Sequence, residues 1–140
     1  MPITDDDGLR SLLDADTIAV VGCSTSAGKP AHDVPKYLQD HGYRVIPINP
    51  FADEILGEKA YDSLDEVDEE IDLVDVFRPS EETPGVVENV IARHEARSDA
   101  GAVWLQLGIA SDEAAELAEE AGLEFVQDRC IKVEHDRLVA

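Results

Sequence analysis

The chain has 140 residues, 44% of them apolar, and sets 32 acidic side chains against 11 lysines and arginines for a formal charge of -21. That length suits one domain able to bury most of its apolar surface without metals or disulfides. The charge argues against duplex DNA, whose binding rests on phosphate neutralisation, and no apolar run approaches the roughly 18 residues a membrane span needs.

Two cysteines, Cys23 and Cys130, fall short of a secreted disulfide framework. The acidic start Met1–Asp7 lacks a basic segment followed by an apolar one, so the expected location is cytoplasmic. The acids are scattered through periodic segments, which reads as a solvated surface rather than disorder. Such a surface suits a halophilic cytoplasm, where molar salt shrinks the Debye length to about 3 Å.

In chain order, Thr4 is placed to cap a short helix through about Asp14, with Leu9, Leu12 and Leu13 on one face. Thr17–Val21 is the first strand. Val34, Tyr37, Leu38 and His41 then recur with helical spacing, and Gly42 sits where a terminating glycine belongs. Tyr43–Ile48 is the second strand, closed by Asn49-Pro50, and a short helix is expected near Leu64–Val67. The third strand, Leu73–Phe77, leads through Arg78-Pro79 to Ser80, read as the cap of a helix reaching about Arg97. Ala102–Leu107 is the fourth strand, Ser111 caps a helix over Asp112–Ala121, and Glu124–Gln127 is the fifth strand. The tail from Ile131 alternates in character and reads as an edge strand or a loop. Short apolar strands alternating with helices predict an α/β fold with a five-stranded, parallel, doubly wound sheet.

Ligands of open α/β sheets sit beyond the C-terminal strand ends, near the switch point. Each such end here holds unusual residues: Gly22–Pro30, Asn49-Pro50, Phe77-Arg78-Pro79, Gln106–Ile109 and Asp128–Cys130. After the first strand, Gly22 lets the chain turn, Ser24 and Ser26 offer hydroxyls, and the next helix turns its positive end toward the bend. Lys29, Arg78 and Arg129 follow strands as candidate cations, and His32 stands at the mouth of the loop. Gln106 and Gly108 interrupt an apolar run at the pocket rim.

Three ligand classes make different demands on this rim. A P-loop fails, because five residues separate Gly22 from Gly28 and Pro30 replaces the metal-binding hydroxyl. A dinucleotide site lacks the Gly-x-Gly-x-x-Gly pattern and an acid after the second strand, where Ile48-Asn49-Pro50 stands. Coenzyme A asks for amides, hydroxyls, a few cations and an apolar wall; Gly22, Ser24 and Ser26 supply the first two, and Lys29, Arg78 and Arg129 are the candidate cations.

The chain resembles the small stand-alone CoA-binding domain family, related to the N-terminal domain of the succinyl-CoA synthetase alpha subunit. Ala19–Ser24, Tyr37-Leu38 with Gly42–Pro50, Val74–Arg78, Trp104–Gly108 and Ala121–Leu123 with Asp128–Cys130 carry the resemblance, in the family's order along nearly the whole chain. It implies a Rossmann-like fold over residues 1–140, with phosphate contacts from the Gly22–Ser26 loop, Cys23 included, and from Lys29. Asn49-Pro50 and Phe77-Arg78 would line the adenosine end. Cys23 stands where the family often has Ala, and Ala31-His32 where Ser and an aromatic or Asn are common.

The synthetase carries its phosphorylated histidine in a second domain, for which this sequence leaves no room. His41 and His94 read as helix residues, and Cys130 with His135 is a weak metal or thiol–imidazole pattern. Cys23, just ahead of a helix N-terminus, is placed for a lowered thiol pKa. The favoured function is a non-catalytic CoA or acyl-CoA binder acting as carrier, sensor, homodimer or partner of an acyl-CoA enzyme. An NAD(P)-binding redox sensor or reductase and an acyl-CoA-processing enzyme using Cys23 or Cys130 are the alternatives.

Overall fold

A computed structural model describes residues 2–139. Five parallel strands form the sheet: β1 (Thr17–Val21), β2 (Arg44–Ile48), β5 (Leu73–Val76), β6 (Ala102–Leu105) and β7 (Glu124–Val126), in the order β2-β1-β5-β6-β7. Residues 54–59 add a small antiparallel hairpin, β3 (Glu54–Ile55) and β4 (Glu58–Lys59). β2 is an edge, and there Pro47 is tolerated because a missing N–H breaks no ladder on its open side.

Alternation along each strand splits the core in two. Ile18 and Val20 of β1 face α1 (Asp6–Leu13), α2 (Pro30–Asp40) and α5 (Ile131–Leu138), with Leu9, Leu38, Trp104 and Ile131 buried among them. Ala19 of β1 faces the opposite layer, with Val74 and Val103, under α3 (Thr83–Arg97) and α4 (Asp112–Glu120). The molecule is a three-layer, doubly wound α/β domain, as the strand pattern predicts. The chain runs outward from β1 to β2, then crosses back to β5 on the other side of β1. The switch point therefore lies between β1 and β5.

Several local readings change. The segment from Ile131 is helix α5, neither edge strand nor loop. Its period is helical, because Ile131, Glu134 and His135 share the buried face. Asp5 rather than Thr4 caps α1, accepting from the Gly8 N–H at 2.9 Å. Ser80 opens a single 3-10 turn, Ser80–Glu82, ahead of α3, and its hydroxyl accepts from the Ala110 N–H at 3.1 Å. Ser111 does cap α4, accepting from the Ala114 N–H at 3.1 Å.

One buried strand position breaks the apolar pattern. Asp75, in the middle of β5 between Val20 and Trp104, is fully buried, and neither carboxylate oxygen has a hydrogen-bond partner among the described residues. Burial pushes its carboxyl well above the usual range. The folded state therefore keeps a proton that the unfolded chain releases near pH 4, so this group's contribution falls as pH rises from there toward the raised value. Asp75→Asn removes the dependence. The Tm difference between variant and parent is expected to grow in the variant's favour as pH rises through and above the ordinary carboxylate range. A difference that stays flat in thermal melts across that range would contradict the burial argument.

Candidate functional site

The switch point opens into a hollow of about 550 Å³, bounded by the ends of β1, β2 and β5, residues 62–64 and the start of α3. Gly22 makes this junction possible. Its φ is +84°, its N–H donates to Ile48 O at 3.0 Å, and a Cβ there would lie 2.7 Å from Phe77 O and 2.9 Å from Arg78 Cδ. Only glycine lets the three strand ends come this close.

The following loop is tied down by its own hydrogen bonds. Pro35, inside α2, has no N–H to offer the carbonyl four residues back, which leaves Ala31 O open. The Ser24 N–H fills it at 2.9 Å. Ser24 Oγ accepts from the Ser26 N–H at 3.0 Å, and the Gly28 N–H donates to Asp33 Oδ1 at 3.1 Å. The amides of Cys23 and Ala31, both lining the hollow, have no protein acceptor among the described residues. Lys29 precedes the first residue of α2, also lines the hollow, and has no ion-pair partner among the described residues. Ala31, the N-terminus of α2 and the unpaired Lys29 thus meet on the lining of one hollow, an arrangement suited to an anion, while Cys23, also on the lining, is fully buried.

The remaining expected residues divide. Asn49 and Pro50 line the hollow, but the Asn49 amide is turned to the protein: Nδ2 donates to Cys23 O at 2.9 Å and Oδ1 accepts from the Phe51 N–H at 2.8 Å. Asn49 braces the exit of β2 against the glycine loop. Arg78 lines the hollow too, held by Glu82. Phe77 approaches Gly22 through its carbonyl while its side chain packs in the layer of α1, α2 and α5. His32 and Ser26 stand outside the lining, with His32 Nδ1 3.2 Å from Asp33 Oδ1.

Gln106, Gly108 and Arg129 are not brought to this hollow. Gln106 is buried and its Oε1 accepts from the Ile131 N–H at 3.1 Å, while the Gly108 N–H donates to Asp128 Oδ1 at 2.7 Å. Arg129 pairs with Glu134 at 3.2 Å beside a second hollow, which also contains Cys130. His135 Nδ1 lies 2.8 Å from the Tyr37 hydroxyl, and no Cys130–His135 hydrogen bond is found among the described residues. Cys23 reverses the expectation of a lowered thiol pKa: burial, then the nearby Asp75, pushes it up to about 12.

Sequence reasoning missed the far wall, Asp62, Ser63, Leu64, Val86 and Asn89, and the rim residue Phe51, which is 95% exposed. Residues 62–64 lie in an irregular acidic stretch that carries no motif. Asn89 had a faint signal, a polar residue beside the apolar stripe of Val86, Val87 and Val90.

Comparison with known proteins gives a consistent set. The CoA binding domain family model matches residues 16–136. An uncharacterized protein, YneT of Bacillus subtilis, is 46% identical over 118 residues, 84% of each chain. Acetate–CoA ligase (ADP-forming) II of Archaeoglobus fulgidus is 30% identical over 106 residues, 74% of this chain but 15% of the ligase, so this chain corresponds to a small part of that enzyme. A solved structure of a hypothetical protein from Pyrococcus horikoshii superposes with a TM-score of 0.90 at 38% identity, covering 100% of this chain and 97% of the other.

Proposed function

The chain belongs to the CoA binding domain family, and from that membership we propose that it holds coenzyme A or an acyl-CoA in the hollow over Gly22 and performs no chemistry on it. The observation that carries the reading is that Lys29, the N-terminus of α2 and Ala31, whose amide has no protein acceptor among the described residues, line that hollow together. A diphosphate accepts from such donors, with the helix N-terminus adding to the attraction. Asn49-Pro50 and Phe77-Arg78 form the adenosine end in this reading, and Phe51 joins them at the rim. Bound CoA would supply a thiol or thioester; the protein's part is to grip and orient the nucleotide. The high thiol pKa of Cys23 favours a binder over an acyl-transferring nucleophile. The same reading takes the domain as a cytoplasmic carrier, sensor or partner of an acyl-CoA enzyme. The match to one segment of an acetate–CoA ligase supports that last role.

Calorimetric titration with CoA, dephospho-CoA and NAD tests the assignment. CoA is expected to bind tightest, and equal binding of NAD would overturn the choice of ligand. Lys29→Ala is expected to weaken CoA by about 1–2 kcal/mol, the loss of one charge-assisted bond. Unchanged affinity would remove Lys29 from the site.

A further inference from the structure

Two cations border the hollow, and they are in different states. Lys29 has no ion-pair partner among the described residues. Arg78 is gripped by Glu82, with Arg78 Nη2 donating to both carboxylate oxygens at 2.9 Å and Nε to one of them at 3.2 Å. Both side chains of this pair are about half exposed, and both line the hollow. The stem of Arg78 lies across Gly22, since Arg78 Cδ is 2.9 Å from where a Gly22 Cβ would stand. The guanidinium is therefore anchored beside the loop with its Nε–Nη2 edge already occupied, while Nη1 has no partner among the described residues.

We propose that Glu82 is a built-in counter-ion that sets the affinity of the site, which an incoming phosphate must displace from the Nε–Nη2 edge of Arg78 to gain a bidentate grip. This rests on the CoA reading and adds to it a competitor supplied by the chain. An arginine fork fits carboxylate and phosphate alike, so the exchange replaces one bidentate partner with another. Until the exchange occurs, the Glu82 carboxylate also repels phosphate. An exposed ion pair is weak, so the barrier it sets is modest and salt-dependent.

The test is calorimetric titration of CoA, at low salt, into the parent protein, Glu82→Gln, Arg78→Gln and the double variant. Glu116→Gln on the exposed surface of α4 serves as control for net charge. Glu82→Gln is expected to tighten CoA by about fivefold, the control to change it little, and the gain from Glu82→Gln to shrink to less than about twofold in the Arg78→Gln background. An equal gain in both backgrounds would overturn the exchange, because simple charge removal would explain it. Weaker binding by Glu82→Gln would also overturn it, making Glu82 a support that holds Arg78 in its binding pose. No CoA binding by any form would instead overturn the proposed function, and the exchange with it.

Discussion

Arg93→Ala is expected to destabilise the fold by about 3–5 kcal/mol, the usual penalty for removing one partner of a buried ion pair. Arg93 is 2% exposed, and all its donors are used. Nε and Nη2 reach Asp99 at 3.1 and 2.9 Å, Nη1 donates to Leu64 O and Val67 O at 2.5 and 2.9 Å, and Nη2 also donates to Glu69 O at 2.8 Å. One side chain of α3 thereby fixes the irregular 64–69 segment, which has little regular structure to hold it. Its loss would strand the buried Asp99 carboxylate and three carbonyls.

Burial alone would raise the Asp99 carboxyl, but the Arg93 and Ile71 hydrogen bonds outweigh it and hold it below the usual range. The pair's contribution is therefore present above the ordinary carboxylate range and is lost as pH falls through the depressed value. Urea unfolding at neutral and acid pH reads both effects. A loss below about 1.5 kcal/mol at neutral pH would show that the clamp matters little. Because Ser63 and Leu64 wall the hollow, the variant should also bind CoA more weakly.

Gly22→Ala is the second large effect. The backbone at φ +84° costs an L side chain about 1–2 kcal/mol, and a Cβ 2.7 Å from the Phe77 carbonyl adds about 1–3 kcal/mol of overpacking. The neighbouring contact is backbone, so relief requires β1 and β5 to part where the hollow forms. CoA binding is expected to be lost. Gly28→Ala is the matched comparison: φ is +95°, but nothing lies within 4 Å of its Cβ position, so only the backbone cost applies. Equal destabilisation of the two variants in denaturant melts would contradict the close-approach argument.

The sheet was legible because each of its strands is a short apolar run closed by a glycine, proline or polar turn. Gly22 and Lys29 were legible as well, since a glycine after a buried strand and a base before a helix have few other uses. Local hydrogen bonds decided what remained hidden. Ser24 lines the hollow as expected, but its N–H and Oγ also tie down the loop, the N–H through a carbonyl that Pro35 leaves open. Gln106 looked like a pocket residue because it is polar in an apolar run, yet it satisfies the first amide of α5. That helix was itself misread, since His135 and Glu134 are buried by partners that composition does not reveal: Tyr37 for one, Arg129 and Arg137 for the other. Arg129 and Gly108 follow strands as expected, but β6 and β7 lie on the far side of β5 from the switch point.

The most direct measurement is residue-resolved amide NMR during a titration with CoA. Saturable shifts centred on the amides of Cys23, Ser24, Lys29 and Ala31, with Gly108, Asp128 and Cys130 unmoved, are the predicted result. Shifts gathered at Gly108–Cys130, or none anywhere with CoA in large excess, would contradict a phosphate grip at Gly22.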